Sequence, residues 1–83
     1  MWEVEYTDRP FADTVKGSRY ANMKELRPPA STIRVLFVFD PRRIAVLLVG
    51  GDKEGRWDSF YDEIIPAADA LYETHLEELA REE

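Results

Sequence analysis

Arg34 stands in the run Ile33-Arg34-Val35-Leu36-Phe37-Val38-Phe39, a charged side chain inside an otherwise apolar stretch. Burying an unpaired charge is costly, so such a residue is either paired, put to use, or laid with its stem along the rim of a sheet and its head in water. Lys53 follows Gly50-Gly51 at the end of the next apolar stretch, and Trp57 and Tyr61 come shortly after. A guanidinium, an ammonium, an indole and a phenol gathered at one sheet edge could hold and cut RNA. Arginine clamps phosphate oxygens bidentately, lysine neutralises developing negative charge, and aromatic rings stack on bases. Lys24 and the arginines Arg27, Arg42, Arg43 and Arg56 supply further positive charge around these positions.

Other chemistries find little footing. The chain has no cysteine, which excludes disulfides, thiolate metal ligands and a thiol nucleophile. His75 is the single histidine. Its neighbours at helical spacing are Leu71, Tyr72, Leu76 and Leu79, so it reads as a packing or partner-facing residue rather than a catalytic one. Asp58 and Asp62 form a carboxylate pair, but an acidic C-terminal segment produces such pairs by chance. Gly50-Gly51-Asp52-Lys53 is too short for a phosphate-cradling loop. No metal motif is present, and no cofactor is expected.

The elements that must position these residues are legible in the alternation of side chains. The 83 residues, 45% hydrophobic and 34% charged, suit one small globular domain spanning 1–83. Trp2-Glu3-Val4-Glu5-Tyr6 alternates as a half-buried strand does, and Met23 to Leu26 fits a second short strand before Pro28-Pro29. Ile33–Phe39 and Ile44–Val49 predict a hairpin, turned at Asp40-Pro41-Arg42-Arg43 as a type I turn. Gly50-Gly51 is expected to let the backbone leave the sheet. Residues 11–21 read as a turn-containing connection around Gly17-Ser18. Pro66 is expected at the start of a helix whose stripe is Ala68, Leu71, Tyr72, His75, Leu76 and Leu79, with Asp69 favourably placed near its N-terminus. The second face of Ile44–Val49 requires a cover that one helix cannot give.

Charge is unevenly divided. The net charge of −6 conceals ten basic against five acidic residues from Arg9 to Arg56, and nine acids with one arginine from Trp57 to Glu83. Local field matters more than total charge for a polyanion, although the same lysines and arginines could simply solvate a surface. The longest apolar run, Ile44–Val49, is too short to cross a bilayer, and acids interrupt the start of the chain, so cytoplasm is expected.

Ordered blocks of this sequence resemble the phage-derived branch of the RelE/HigB toxin family. They are Lys16-Gly17-Ser18, Asn22-Met23-Lys24-Glu25-Leu26-Arg27, Ile33-Arg34-Val35-Leu36, Phe39-Asp40-Pro41-Arg42-Arg43, Leu47 to Lys53, and Tyr61 with Ile65-Pro66, Ala68-Asp69 and Tyr72. The resemblance implies an α+β fold, a small RelE-like domain with an antiparallel sheet and a C-terminal helix. It implies a ribosome-dependent endoribonuclease that cleaves mRNA in a metal-independent way, by attack of a ribose 2′-hydroxyl on the adjacent phosphate. It also implies a helix-turn-helix antitoxin as partner. By position, Arg34 matches the strand arginine that holds the scissile phosphate. Lys53 matches a basic residue after the last strand, and Tyr61 the C-terminal tyrosine at the cleaved nucleotide. Lys24 stands close to the family's basic second strand, but Glu25 occupies a place where better-studied relatives are basic, which leaves the general base open. Arg27, Arg42, Arg43, Arg56 and Trp57 are the expected RNA contacts. The family's N-terminal helical hairpin is absent between Asp8 and Arg9. The expectation is therefore a segment missing there, with those two residues not bonded neighbours, or else an inactive remnant that still binds its antitoxin. A soluble domain with an unrelated structural role is the remaining alternative.

Overall fold

The computed structural model describes residues 2–4, 12–56 and 59–82; the expectations for the Asp8–Arg9 junction, Glu5-Tyr6 and Trp57 lie outside them. Five strands and one helix follow in order: β1 Trp2–Val4, β2 Ala12–Thr14, β3 Lys24–Leu26, β4 Ile33–Phe39, β5 Ala45–Asp52 and α1 Phe60–Glu82. The sheet is antiparallel throughout, in the order β1-β5-β4-β3-β2. This is the α+β architecture expected, a sheet with a C-terminal helix. Among the described residues α1 is the one helix.

The β4–β5 hairpin forms where the alternation predicts. The Arg43 N–H donates to the Asp40 carbonyl at 2.8 Å, closing the turn, and the Asp40 N–H donates to the Ile44 carbonyl at 3.0 Å. Arg43 takes φ 65°, an uncommon conformation for a residue with a side chain. The Asp40 carboxylate compensates by accepting from the Arg42 N–H at 2.8 Å and the Ile44 N–H at 3.2 Å.

Four expectations need correction. The three-residue strand β2 lies in the segment read as a connection; it is too short to show a period. Gly50 and Gly51 do not leave the sheet but continue β5 to Asp52, paired with Val35 and Arg34. A Cβ on Gly51 would stand 3.1 Å from Phe60 Cε1, so the missing side chain is what lets α1 pack on β5. The helix begins at Phe60 rather than at Pro66, which lies inside it. Its buried stripe is Phe60, Ile64, Ile65, Ala68, Asp69, Tyr72 and His75, while Leu71 is exposed. Burial of Phe60, Ile64 and Ile65 offsets the cost of a proline that cannot donate to the preceding turn. Asp69 is consequently a mid-helix residue.

The core lies between the helix and one sheet face, with Leu36, Val38, Val46 and Leu48 against Phe60, Ile64, Ile65, Ala68 and Tyr72. Phe37 and Ala45, of opposite alternation on their strands, are also buried. Leu36 pairs with Val49 but Phe37 with Leu47, so Leu48 is an extra residue in β5. Such a bulge shifts the phase of the pleat. Beyond it Val49, Gly51 and Lys53 fall on the helix side; an unbroken alternation from Val46 would have turned Lys53 away.

Candidate active site

Arg34 shares the alternation of Leu36 and Val38, so its side chain enters the helix-facing side near the start of β4. Its guanidinium is oriented by the backbone, Nη1 donating to the carbonyls of Ser31 at 3.0 Å and Ile33 at 2.8 Å. Its Nε lies 3.0 Å from Glu25 Oε1, within ion-pair range. Nε is nonetheless buried without a hydrogen-bond partner among the described residues. The contact with Glu25 is therefore electrostatic, since the N–H is not aligned on the oxygen.

Glu25 is the hub of the site. It sits opposite Leu36 in the β3–β4 pairing, which turns it toward the helix, and its side chain is only 6% exposed. The Tyr61 hydroxyl donates to Glu25 Oε1 at 2.5 Å, and Arg27 Nε lies 3.7 Å from the same oxygen. Lys53 Nζ donates to the Tyr61 hydroxyl at 3.3 Å and stands 5.2 Å from the centre of its ring. Burial, and then the facing Glu25 carboxylate, push the Tyr61 phenol above its ordinary value of 10.0, and the counter-pull of Arg34 does not reverse this. Tyr61 is thus a neutral proton donor at physiological pH.

Three of the four expected catalytic residues meet in this cluster: Arg34, Lys53 and Tyr61. Lys24 does not join them. It pairs with Phe37 on the opposite face and donates from Nζ to Thr14 Oγ1 at 3.3 Å. Of the expected RNA contacts, Arg27 borders the cluster and also pairs with Asp13 at 2.9 Å. Arg56 pairs with Glu63 and lies 5.8 Å from the Phe60 ring centre. Arg42 and Arg43 stand apart at the far turn of the hairpin, roughly 20 Å along β4 from Arg34 at a strand's rise per residue. In the sequence Glu25 stands out only as a departure from the family pattern. Its position two residues from Arg27, on a strand paired with the one bearing Arg34, was the available signal.

The loop after β2 carries a second arrangement. Ser18 Oγ donates to Asp69 Oδ1 at 2.5 Å and the Arg19 N–H to Asp69 Oδ2 at 3.0 Å, tying the loop to α1. Between them runs a groove of about 420 Å³, whose walls include Lys16, Arg19, Asp62 and the same Tyr61. At the other end of the hairpin, Asp40 Oδ2 holds His75 Nε2 at 3.0 Å and Arg42 Nη2 at 2.7 Å. Burial alone would raise the Asp40 pKa, but these bonds and the Ile44 and Arg42 N–H groups outweigh it and hold it down to about 2. His75 is thus a buried packing residue, 6% exposed in its side chain and held by Asp40. No cluster of three metal-binding side chains occurs among the described residues, and no described helix is long and apolar enough to cross a membrane.

Among the described residues, a five-stranded antiparallel sheet with one helix across it is the α+β domain expected from the sequence. The model of the family described as "Phage derived protein Gp49-like (DUF891)" matches residues 3–73. The chain belongs to this phage-derived, HigB-like family. Two relatives come from Mycobacterium tuberculosis. "Putative toxin HigB2" is 54% identical over 70 residues, covering 81% of this chain and 35% of that protein. "Putative toxin HigB3" is 54% identical over 68 residues, covering 82% of this chain and 60% of that protein. The chain thus spans about a third of one relative and three fifths of the other. No solved structure gives a significant match.

Proposed function

We propose that the protein is the toxin of a toxin–antitoxin pair, a ribosome-dependent endoribonuclease cleaving mRNA in the cytoplasm, silenced by a helix-turn-helix antitoxin. The observation carrying this reading is the meeting of three separate elements in one cluster, Arg34 and Tyr61 on Glu25 and Lys53 on Tyr61. The names of the two mycobacterial relatives support the toxin assignment.

In the reaction, a ribose 2′-oxygen attacks the adjacent phosphorus and its proton passes to a base. The bond from phosphorus to the 5′-oxygen breaks, and that oxygen takes up a proton. The products are a 2′,3′-cyclic phosphate and a free 5′-hydroxyl. Arg34 and Lys53 are the cations available to stabilise the charge that accumulates on phosphorus oxygens. Tyr61, neutral and hydrogen-bonded, suits the donor role toward the leaving oxygen. Glu25 is the carboxylate within reach to accept the 2′-proton. These side chains account for each proton without a metal-bound hydroxide. Ribosomes programmed with a defined mRNA test the reading: cleavage giving those two ends is expected, and only when ribosomes are present.

One observation favours a second reading. Arg34 is already engaged by Glu25 and two carbonyls, as it would be in a toxin remnant that has lost cleavage but still binds antitoxin. Tight antitoxin binding with no cleavage on ribosomes would establish that alternative.

A further inference from the structure

We propose that the groove between the β2–β3 loop and the start of α1 is a subsite for one nucleotide of single-stranded RNA. In this subsite Lys16 takes a phosphate, the base lies beside Tyr61, and Asp62 accepts from an N–H group of the base. The proposal deepens the nuclease reading and rests on it.

The groove is built rather than incidental. Asp69, buried in mid-helix, accepts from both Ser18 Oγ and the Arg19 N–H, and Ser18 Oγ accepts in turn from the Tyr20 N–H at 3.0 Å. The Val15 N–H closes the base of the loop onto the Met23 carbonyl at 2.9 Å. Gly17 takes φ +96°, a conformation that side chains resist, and a Cβ there would lie 3.8 Å from Ile65 Cδ1. The loop therefore runs close along the helix. A volume of about 420 Å³ falls within the range of small-ligand sites.

The chemistry of the walls is polarised. Arg19 is neutralised by Asp69 at 3.8 Å and Glu73 at 3.1 Å. Lys16 is exposed and has no ion pair among the described residues, so it is the cation left for an anionic ligand. Asp62 on the opposite wall repels an anion but suits the amino and imino donors on a base edge. Ligand polarity follows: phosphate toward the loop, donor edge toward the helix. Tyr61 decides between RNA and an acidic peptide, because it belongs both to this groove and to the cluster around Glu25. A strand crossing the cluster would continue into the groove, with one nucleotide beside its scissile phosphate.

The test is a titration of the full chain, labelled with ¹⁵N, with a 2′-O-methyl trinucleotide, which binds but cannot be cleaved. Amide shifts are expected at Gly17, Arg19 and Ile65. Lys16→Glu should weaken binding roughly tenfold or more, while Glu77→Gln on the exposed helix face leaves it unchanged. Guanine offers Asp62 an imino and an amino donor where uracil offers one imino donor, so guanine trinucleotides should bind more tightly than uracil ones, and Asp62→Asn should reduce that difference. Binding by Lys16→Glu equal to that of the unaltered chain would overturn the proposal. So would shifts reproduced in full by inorganic phosphate or by an acidic peptide at the same concentrations. Because the readout is binding to the free protein, it is independent of cleavage. Groove binding without cleavage on ribosomes would count against the nuclease reading alone, and cleavage without groove binding against the subsite alone.

Discussion

Removing Arg34 has two separable consequences. In the proposed reaction the transition state loses a guanidinium, and the Glu25 carboxylate, 6% exposed, loses its nearest cation. Arg34→Ala should therefore cut cleavage by about 10²-fold and lower stability by up to about 3 kcal/mol, since the buried carboxylate keeps only the Tyr61 hydroxyl and the more distant Arg27. The double variant Arg34→Ala/Glu25→Gln removes that charge, so the denaturation midpoint should largely recover while cleavage stays low. Recovery of cleavage along with stability would make the pair purely structural. Tyr61 is assigned the leaving-group proton because burial and Glu25 keep its phenol protonated. Tyr61→Phe should slow cleavage of ordinary RNA by roughly 10²-fold. It should barely affect a substrate with a 5′-thio leaving group, which departs without protonation. Equal slowing on both substrates would show that Tyr61 positions rather than donates.

The elements owe their arrangement to a few residues that bring distant segments together. A methyl group on Gly51 would meet the Phe60 ring at 3.1 Å, so Gly51→Ala should destabilise the protein by about 1–3 kcal/mol, read by urea unfolding. An unchanged midpoint would mean that the helix–sheet contact yields freely. Asp40 links the hairpin turn to α1 through His75, and its pKa is depressed from 3.8 to about 2 in the folded state. A depressed carboxylate contributes stability that is fully present above its unfolded pKa and is lost as pH falls through the folded one. The unaltered protein should thus lose stability between about pH 4 and pH 2, and Asp40→Asn should flatten that limb. The hairpin, its turn and the Met23–Leu26 strand were legible because alternation and turn residues are local. The helix start was misplaced because Pro66 resembles a first-turn proline, whereas burial of Phe60 and Ile64 against Gly51 is a tertiary matter. Arg34, Lys53 and Tyr61 stand out in the sequence by charge on an apolar strand and by family resemblance. Their meeting through Glu25 depends on strand register and on the Leu48 bulge, which no local pattern records.

At the scale of the molecule, the acidic C-terminal helix turns part of its charge inward to the basic segment. Arg19 pairs with Glu73 and Asp69, and Arg56 with Glu63. Lys16 is exposed and forms no ion pair among the described residues, so a local positive field at the proposed RNA subsite is compatible with a net charge of −6. An antitoxin covering this region would present acidic and apolar groups. Its association rate should fall as salt rises from low to physiological concentration, and a salt-independent rate would place its interface elsewhere. The most direct test of the whole account is single-turnover cleavage of a defined mRNA on purified ribosomes by the unaltered chain and by Arg34→Ala. The unaltered chain should give 2′,3′-cyclic phosphate and 5′-hydroxyl ends with ribosomes, and the variant should cleave about 10²-fold more slowly. Intact mRNA in the presence of a folded, antitoxin-binding chain, or equal cleavage by Arg34→Ala, would contradict it.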